Sequence, residues 1–357
     1  MYKRSIRIAI VWTYLLLMLS GCWDNKDINH RIMPVVLGIA LEDGNYKAFL
    51  EIPYPKEDTF ELRIVSAVGN SLNQVMEDMS KNLESDVDLL HVKVIIIEKG
   101  LAEEGVKDLF AGFMRSRDLS PKALVAISEN DLDDFFTAIT HETNPDGTGL
   151  LDCFEKNAGW GPQIALTRVW QVYRSIHSYT QDVAIPIIKL GSSTDWIQVG
   201  SAVIKNGRMV GQISSDETLL YNAFQGEGTY GKIEVLGGSS VLIIGDKMNH
   251  RSKMENSTPN LQSNIRLKVM LLETRGDPTV AEIKKELELL LTQRFNDMFT
   301  MLQTNEADIL AIGQLFRKNL SRDELKTWRS GYFPRLNMDL NVQVEIQNTG
   351  NLISPKN

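Results

Sequence analysis

The spacing of apolar and polar residues predicts alternating strands and helices in the first half of the chain. Two apolar runs, 35–41 and 46–52, flank Asp43-Gly44, a pair that tolerates the positive φ angles of a tight hairpin turn. Apolar residues then recur at helical spacing over 72–83 and 106–114, and a short apolar run follows each segment. This strand–helix–strand order predicts βαβ crossovers and a partly parallel sheet.

The middle of the chain reads as β-rich. Apolar runs over 183–190, 196–204 and 209–213 predict strands, the last two joined through an Asn-Gly turn. Residues 247–263 contain almost no apolar side chains and predict a mobile loop or linker.

The C-terminal part of the chain predicts an α+β unit. Alternating apolar residues over 265–271 indicate a half-buried strand, and Thr279 with Glu282 forms a capping box before a long helix. A second helix is predicted over 308–319, and a final strand over 342–346.

The N-terminus has the organisation of a bacterial lipoprotein signal peptide. Basic residues precede an apolar stretch over 8–19, which is too short to span a bilayer because spanning needs ~20 apolar residues. The stretch ends in a lipobox formed by Leu19, Ser20, Gly21 and Cys22. We predict cleavage before Cys22, followed by attachment of diacylglycerol and an N-acyl chain such as palmitate. An uncleaved N-terminal anchor is the alternative.

These patterns predict α/β and α+β architecture: a multi-domain protein with mixed sheets flanked by helices, after a cleaved signal peptide. About three domains suit a chain of 357 residues. The predicted divisions are a signal peptide (1–21), a lipidated tether (22–33), an N-terminal α/β domain (34–180), a β-rich middle domain with a polar linker (181–263) and a C-terminal α+β domain (264–357).

The charge of the chain is acidic. Removing residues 1–21 takes away three positive charges, so the formal net charge changes from -8 to -11. An acidic body is repelled by anionic headgroups and by nucleic acid. We therefore expect membrane attachment through lipid on Cys22 rather than through a basic patch, and no nucleic-acid partner.

Candidate chemistry is weak along the whole sequence. Residues 226–231 match G-x-G-x-x-G, with Asp246 downstream, but a helix is predicted before the glycines and a strand after them, the reverse of a dinucleotide site. Cys153, with His141 or His177 as base, forms a possible nucleophile pair, although a structural thiol is the simpler interpretation. The five histidines are scattered, so we expect no metal site, no cofactor beyond the covalent lipid, and no enzyme activity.

The start of the mature chain, Cys22-Trp23-Asp24, and several downstream segments resemble the Ger(x)C family, the lipoprotein C subunits of spore nutrient-germinant receptors. The family usually has an acidic residue where this chain has Ala40. The resembling segments are 35–39, 91–97, 101–105, 200–205, 210–211, 308–313, Trp328 and the final strand running into Gly350.

The resemblance implies a three-domain α/β protein on the outer face of the cell membrane and, in the spore, at the inner membrane. It also implies a non-enzymatic role in the germination response, with two integral membrane subunits, A and B, as partners. Two other hypotheses remain open: a solute-binding lipoprotein of an importer, which predicts two similar lobes, and an anchored hydrolase that uses Cys153.

Overall fold

The computed structural model describes residues 31–56, 59–116, 118–139, 162–192, 196–231, 233–237, 239–276 and 278–348, together with residues 6, 7, 12, 149 and 154. Its strands form two large sheets and one small pair. The pair joins β1 (Arg31–Ile32) in parallel to β5 (Asp86–Val87).

An eight-stranded sheet is built from strands that lie between residues 36 and 213. Its spatial order is β10-β9-β8-β7-β6-β2-β3-β4, with the four central strands parallel and antiparallel strands at both ends. The strands are β2 (Val36–Glu42), β3 (Asn45–Lys56), β4 (Thr59–Gly69), β6 (Val94–Glu98), β7 (Leu124–Ser128), β8 (Val183–Leu190), β9 (Trp196–Lys205) and β10 (Arg208–Ile213). The predicted hairpin turns and partly parallel sheet are confirmed.

Helices cover both faces of this sheet, which explains why β6 and β7 are apolar throughout rather than alternating. The helices are α1 (Leu72–Asn82), α2 (Lys99–Glu104), α3 (Lys107–Ser116), α4 (Leu132–Ile139) and α5 (Val169–Ile176). Residues of α4 pack on one face and residues of the other four helices on the opposite face.

The sheet continues across the boundary predicted at residue 180. β8 pairs with β7 in parallel, and β9 and β10 extend the same sheet rather than forming a separate one. Alternate residues of these strands enter two different cores: Ile185 packs with the helices of the first half, whereas Ala184 packs with the C-terminal part. Because successive side chains of a strand point to opposite faces, β8–β10 contribute side chains to both cores.

The second sheet has four strands in the order β11-β12-β13-β14. The strands are β11 (Ile233–Val235), β12 (Ser239–Glu255), β13 (Thr258–Thr274) and β14 (Asn337–Asn348). The linker predicted over 247–263 is wrong, because these residues form the paired ends of β12 and β13. Polar composition misled the prediction: Arg251 and Gln262 are exposed on the outer face, while Leu261 is buried beneath them.

The C-terminal helices pack against the inner face of this sheet. They are α6 (Ser215–Gln225), α7 (Val280–Thr304), α8 (Ile312–Leu315) and α9 (Arg322–Lys326). The capping box at the start of α7 is confirmed, since the Glu282 backbone N–H donates to Thr279 Oγ1 and the Thr279 backbone N–H donates to Glu282 Oε2. The helix predicted over 308–319 is reduced to α8.

Two buried aspartates join the halves of the molecule. Asp182, immediately before β8, is fully buried and accepts two hydrogen bonds from Arg329, from Nε at 2.9 Å and from Nη2 at 2.7 Å. The backbone N–H of Asp308 also donates to Asp182, at 2.9 Å. Because a buried charge is costly without partners, this set of contacts holds the Asp308 segment and Arg329 against the end of the first sheet.

Asp308 shapes the chain that follows it. Its carboxylate accepts hydrogen bonds from the backbone N–H groups of Ile312 and Gly313, at 2.9 and 2.8 Å, and from Trp328 Nε1 at 2.8 Å. Ala311 adopts the left-handed region with φ of 56°. These side-chain bonds to the backbone compete with a regular helix and explain the short α8.

Gly38 is the position in β2 where a side chain has no room. A Cβ atom there would lie 2.8 Å from Phe136 Cζ and 3.2 Å from Phe49 Cβ, within the stack of those two rings. We expect Gly38→Ala to lower the free energy of unfolding by about 1–3 kcal/mol through overpacking. Gly112→Ala adds the same methyl group to α3 with nothing within 4 Å and should not destabilise. Urea denaturation of both variants checks this; equal midpoints would contradict the packing argument.

Removing Arg329 should destabilise the molecule because Asp182 would then be a buried charge without its cation. We expect Arg329→Ala to cost about 3–5 kcal/mol. Lys326→Ala, which removes a cation from an exposed pair with Asp323, should cost less than about 1 kcal/mol. The measurement is the shift of the urea midpoint for each variant. Similar small shifts for both would show that the Asp182 pair does not hold the halves together.

The buried carboxyl group of Asp308 should make the stability of the protein depend on pH. Burial raises its pKa from the usual 3.8 to about 7, against the lowering effect of its three donors. Because the folded-state pKa is the higher one, this contribution to stability is complete below about pH 4 and is lost as the pH rises through 7. Between about pH 5 and 7.5 the urea midpoint should fall further for the unmodified protein than for Asp308→Asn. Parallel pH profiles would rule out this assignment.

Candidate interaction surface

The lipid-attachment residue Cys22 and the other lipobox residues, Leu19, Ser20 and Gly21, lie outside the described residues, and lipidation stays a prediction. The described fold begins at β1, where Arg31 Nη1 lies 2.5 Å from Asp88 Oδ2. The Lys93 backbone N–H then donates to the Val35 carbonyl at 2.8 Å. The chain therefore enters the fold beside loop 88–93, at the amino ends of β2 and β6. No helix among the described residues has the length and apolar composition needed to cross a bilayer.

Basic side chains meet at this same edge of the sheet. Lys93, Lys122 and Arg168 line a cavity of about 240 Å³, and Arg168 Nη1 donates to the Lys122 carbonyl at 2.7 Å. Lys93 precedes β6 and Lys122 precedes β7, so the parallel pairing of these strands brings the two lysines to one edge. Nothing in the sequence indicates this cluster, because its members are far apart along the chain.

Apolar side chains are exposed beside the cations. Trp170 is 38% exposed, and its backbone N–H donates to the Pro121 carbonyl at 3.1 Å, next to Lys122. The Arg174 guanidinium lies 4.9 Å from the Trp170 ring. Leu90, in the loop before Lys93, is 51% exposed. We call the surface formed by Leu90, Lys93, Lys122, Arg168 and Trp170 the basic edge.

An apolar groove lies next to the basic edge. It has a volume of about 430 Å³ and runs between α1 and α3, with Met76 and Phe113 among its lining residues. Val87 of β5 and Leu89 also line it, so the groove is close to the point where the chain enters the fold. Asp118 adds an acidic group to its lining.

The nucleophile and metal candidates gain no support from the described residues. Cys153 and His141 lie outside them. His177 packs against Tyr173 with ring centroids 4.5 Å apart. Burial lowers the pKa of His250, whose ring packs on Phe224. Within the described ranges, no three His, Cys, Asp or Glu side chains are arranged to hold a metal ion.

The G-x-G-x-x-G segment is a helix-to-strand turn, as predicted. Gly226 ends α6 in the left-handed conformation with φ of 78°, and β11 begins two residues after Gly231. Asp246 accepts hydrogen bonds from the Thr229 backbone N–H and from Oγ1, at 3.2 and 2.7 Å. The acidic residue thus holds the turn in place, where a dinucleotide site would use it to bind a ribose.

Asp308, whose pKa is raised, is part of the buried contact with Asp182 that joins the two halves of the molecule. Perturbed acids often mark catalytic sites, but a general acid must also reach a substrate. Asp182 and Asp308 are only 1% and 0% exposed. Their carboxylates accept hydrogen bonds from N–H groups of the protein and are enclosed away from any substrate in solution. The exposed basic edge and its neighbouring groove are therefore the better candidates for contact with other molecules.

Comparison with known proteins places both halves of the chain in one family. Residues 24–190 match the description "Spore germination protein N-terminal domain", and residues 199–350 match "Spore germination B3/ GerAC like, C-terminal". Spore germination protein KC of Bacillus subtilis (strain 168) is 21% identical, covering 97% of this chain and 96% of the relative. Spore germination protein GerQC of Bacillus cereus is 20% identical, and the similarity covers 96% of this chain and 98% of that relative.

The fold agrees with a solved structure. The crystal structure of the GerBC protein superposes with a TM-score of 0.57 at 16% identity, covering 87% of this chain and 97% of that one. The resemblance noted from the Cys22 motif and the downstream segments is thereby confirmed at the level of the family. With both halves matched, this chain belongs to the Ger(x)C family of spore germination proteins.

Proposed function

We propose that this protein is a lipid-anchored, non-enzymatic subunit of a spore nutrient germinant receptor, needed for the germination response to nutrients. The observation that carries the proposal is the family match over both halves of the chain, together with whole-length similarity to spore germination proteins. The proposed partners are the integral membrane A and B subunits, and the proposed location is the outer face of the cell membrane and the spore inner membrane.

The proposed anchor is diacylglycerol and N-acyl lipid on Cys22. Its support is the lipobox in the sequence and the position of Arg31 of β1, nine residues after Cys22, at the edge that carries exposed basic and aromatic side chains. The second sheet packs through the core on the opposite face of β8–β10, and its outer face is left for contact with other subunits.

A non-enzymatic role agrees with the chemistry of the described residues. Asp308, whose pKa burial raises to about 7, is enclosed in the contact with Asp182, and the glycine-rich segment is a turn. The importer alternative predicts two similar lobes, whereas this chain has an eight-stranded and a four-stranded sheet of different strand order. No observation favours that alternative.

The lipid anchor is tested with spores in which Cys22→Ala is the only copy, in a background without related receptors. We expect a selective loss of nutrient-triggered dipicolinate release, with an unchanged response to a non-nutrient trigger, because the protein would no longer stay beside the membrane subunits. Cys153→Ala is the matched control, since it makes the same substitution at the chain's other cysteine, and its response should equal that of the unmodified protein.

Three results would count against the proposal. A normal nutrient response in Cys22→Ala spores, with the variant protein present at normal level, would show that the anchor is dispensable for this function. A loss of response in Cys153→Ala spores, with normal protein level, would instead support the hydrolase hypothesis. Deletion of the whole chain with no change in the nutrient response would exclude the receptor role itself.

A further inference from the structure

We infer that the basic edge docks on the headgroups of anionic membrane lipids and sets the orientation of the protein on the bilayer. The inference rests on the proposed lipid anchor at Cys22 and extends it from attachment to a specific surface. The surface comprises Leu90, Lys93, Lys122, Arg168 and Trp170, as defined above.

The first argument is the reach of the tether. Nine residue steps separate Cys22 from Arg31, and an extended chain spans at most ~3.6 Å per residue, or roughly 30 Å in all. Arg31 lies against Asp88, and Val35 is hydrogen-bonded to Lys93. An anchor at Cys22 therefore keeps β1, and the basic edge beside it, within roughly 30 Å of the bilayer surface.

The second argument is charge. Lys93 and Lys122 are exposed, and neither forms an ion pair with a carboxylate among the residues that the structure describes. Asp88 is paired with Arg31, and the exposed Asp118 lines the neighbouring groove rather than the cavity of Lys93 and Lys122. A basic side chain close to an anionic membrane strengthens association by about fivefold. Since charges are screened beyond about 8–10 Å, this local cluster acts on headgroups despite the acidic character of the whole chain.

The third argument is the exposed ring of Trp170 beside the cations. Tryptophan is favoured at the level of lipid headgroups, where its ring meets apolar atoms and its N–H meets water. Leu90 provides a second exposed apolar side chain at the same edge. A binding site for a small anion alone would have no use for either side chain, whereas a bilayer interface accommodates both.

A second basic surface among the described residues fits an anionic bilayer less well. On the outer face of the second sheet Lys247 lies directly opposite Arg266, but Lys268 pairs in register with Glu345, and Lys253 forms an ion pair with Glu255. The acids partly offset the charge of that face. It serves as an internal control, because the same charge change can be made there.

The test uses the full chain reconstituted into vesicles of phosphatidylglycerol and, separately, of phosphatidylcholine. Hydrogen exchange is followed in peptides covering 88–93 and 118–124. We expect several-fold slower exchange in these peptides on phosphatidylglycerol than on phosphatidylcholine, and loss of that difference at high salt. The N-terminal membrane attachment is common to every sample, so the readout reports docking of the surface rather than attachment.

Two charge-reversal variants locate the effect. Lys93→Glu with Lys122→Glu should abolish the protection, whereas Lys247→Glu with Arg266→Glu, the same change in net charge, should retain it. Slow exchange in β6 and β7 on phosphatidylcholine establishes that each variant is folded. Trp170→Ala should reduce the protection without changing the net charge.

Three outcomes would overturn the inference. These are equal exchange on the two lipids, equal loss of protection in both charge variants, and protection that appears only when receptor membrane subunits are present, which would make the basic edge a protein interface. None of them bears on the germination result with Cys22→Ala, because the vesicle measurement requires no germination response. Failure of the docking inference is thus distinguishable from failure of the proposed function.

Discussion

The buried pair between Asp182 and Arg329 is the contact on which the arrangement of the two sheets depends. Asp182 lies immediately before β8, and Arg329 follows Trp328 in the C-terminal part, so this buried ion pair ties the end of the first sheet to the second core. The partners of a buried charge must stay in place, because separating them leaves a desolvated carboxylate. Arg329 also donates to the Ser178 and Gln181 carbonyls, which orients the chain that leads into β8.

Packing reinforces this joint. One face of β8, β9 and β10 contributes to the core of the first half, and the other face contributes to the core that contains α6 and α7. Separating the two cores would therefore expose apolar residues of these strands to water. Gly313 and Trp328 pack closely: a Cβ atom on Gly313 would lie 2.7 Å from Trp328 Nε1. These residues fall in segments that carry the family resemblance, which their structural role explains without any catalytic one.

A scaffold of this kind suits a protein that acts through its surfaces. The parallel strands align their amino ends, and the loops before β6 and β7 and the chain entering from β1 meet there. Cations and an exposed tryptophan collect at the edge because loops from separate parts of the chain end there, not because any one segment is basic. The acidic net charge of the chain conceals this distribution. The proposed attachment through lipid and the inferred orientation through the basic edge are compatible, since they act on different parts of the chain.

The sequence by itself determined the local structure and the family. Hairpin turns at Asp43-Gly44 and Asn206-Gly207 and the capping box at Thr279 depend on residue chemistry and spacing within short windows, and these predictions agree with the structure. Tertiary structure alone decided which strands share a sheet. The domain boundary predicted at residue 180 therefore lies within the eight-stranded sheet. It also decided that polar residues 247–263 form strands, because one-sided burial is set by what lies beneath them. The Asp182–Arg329 pair and the basic edge join residues distant along the chain, and no local pattern encodes such contacts.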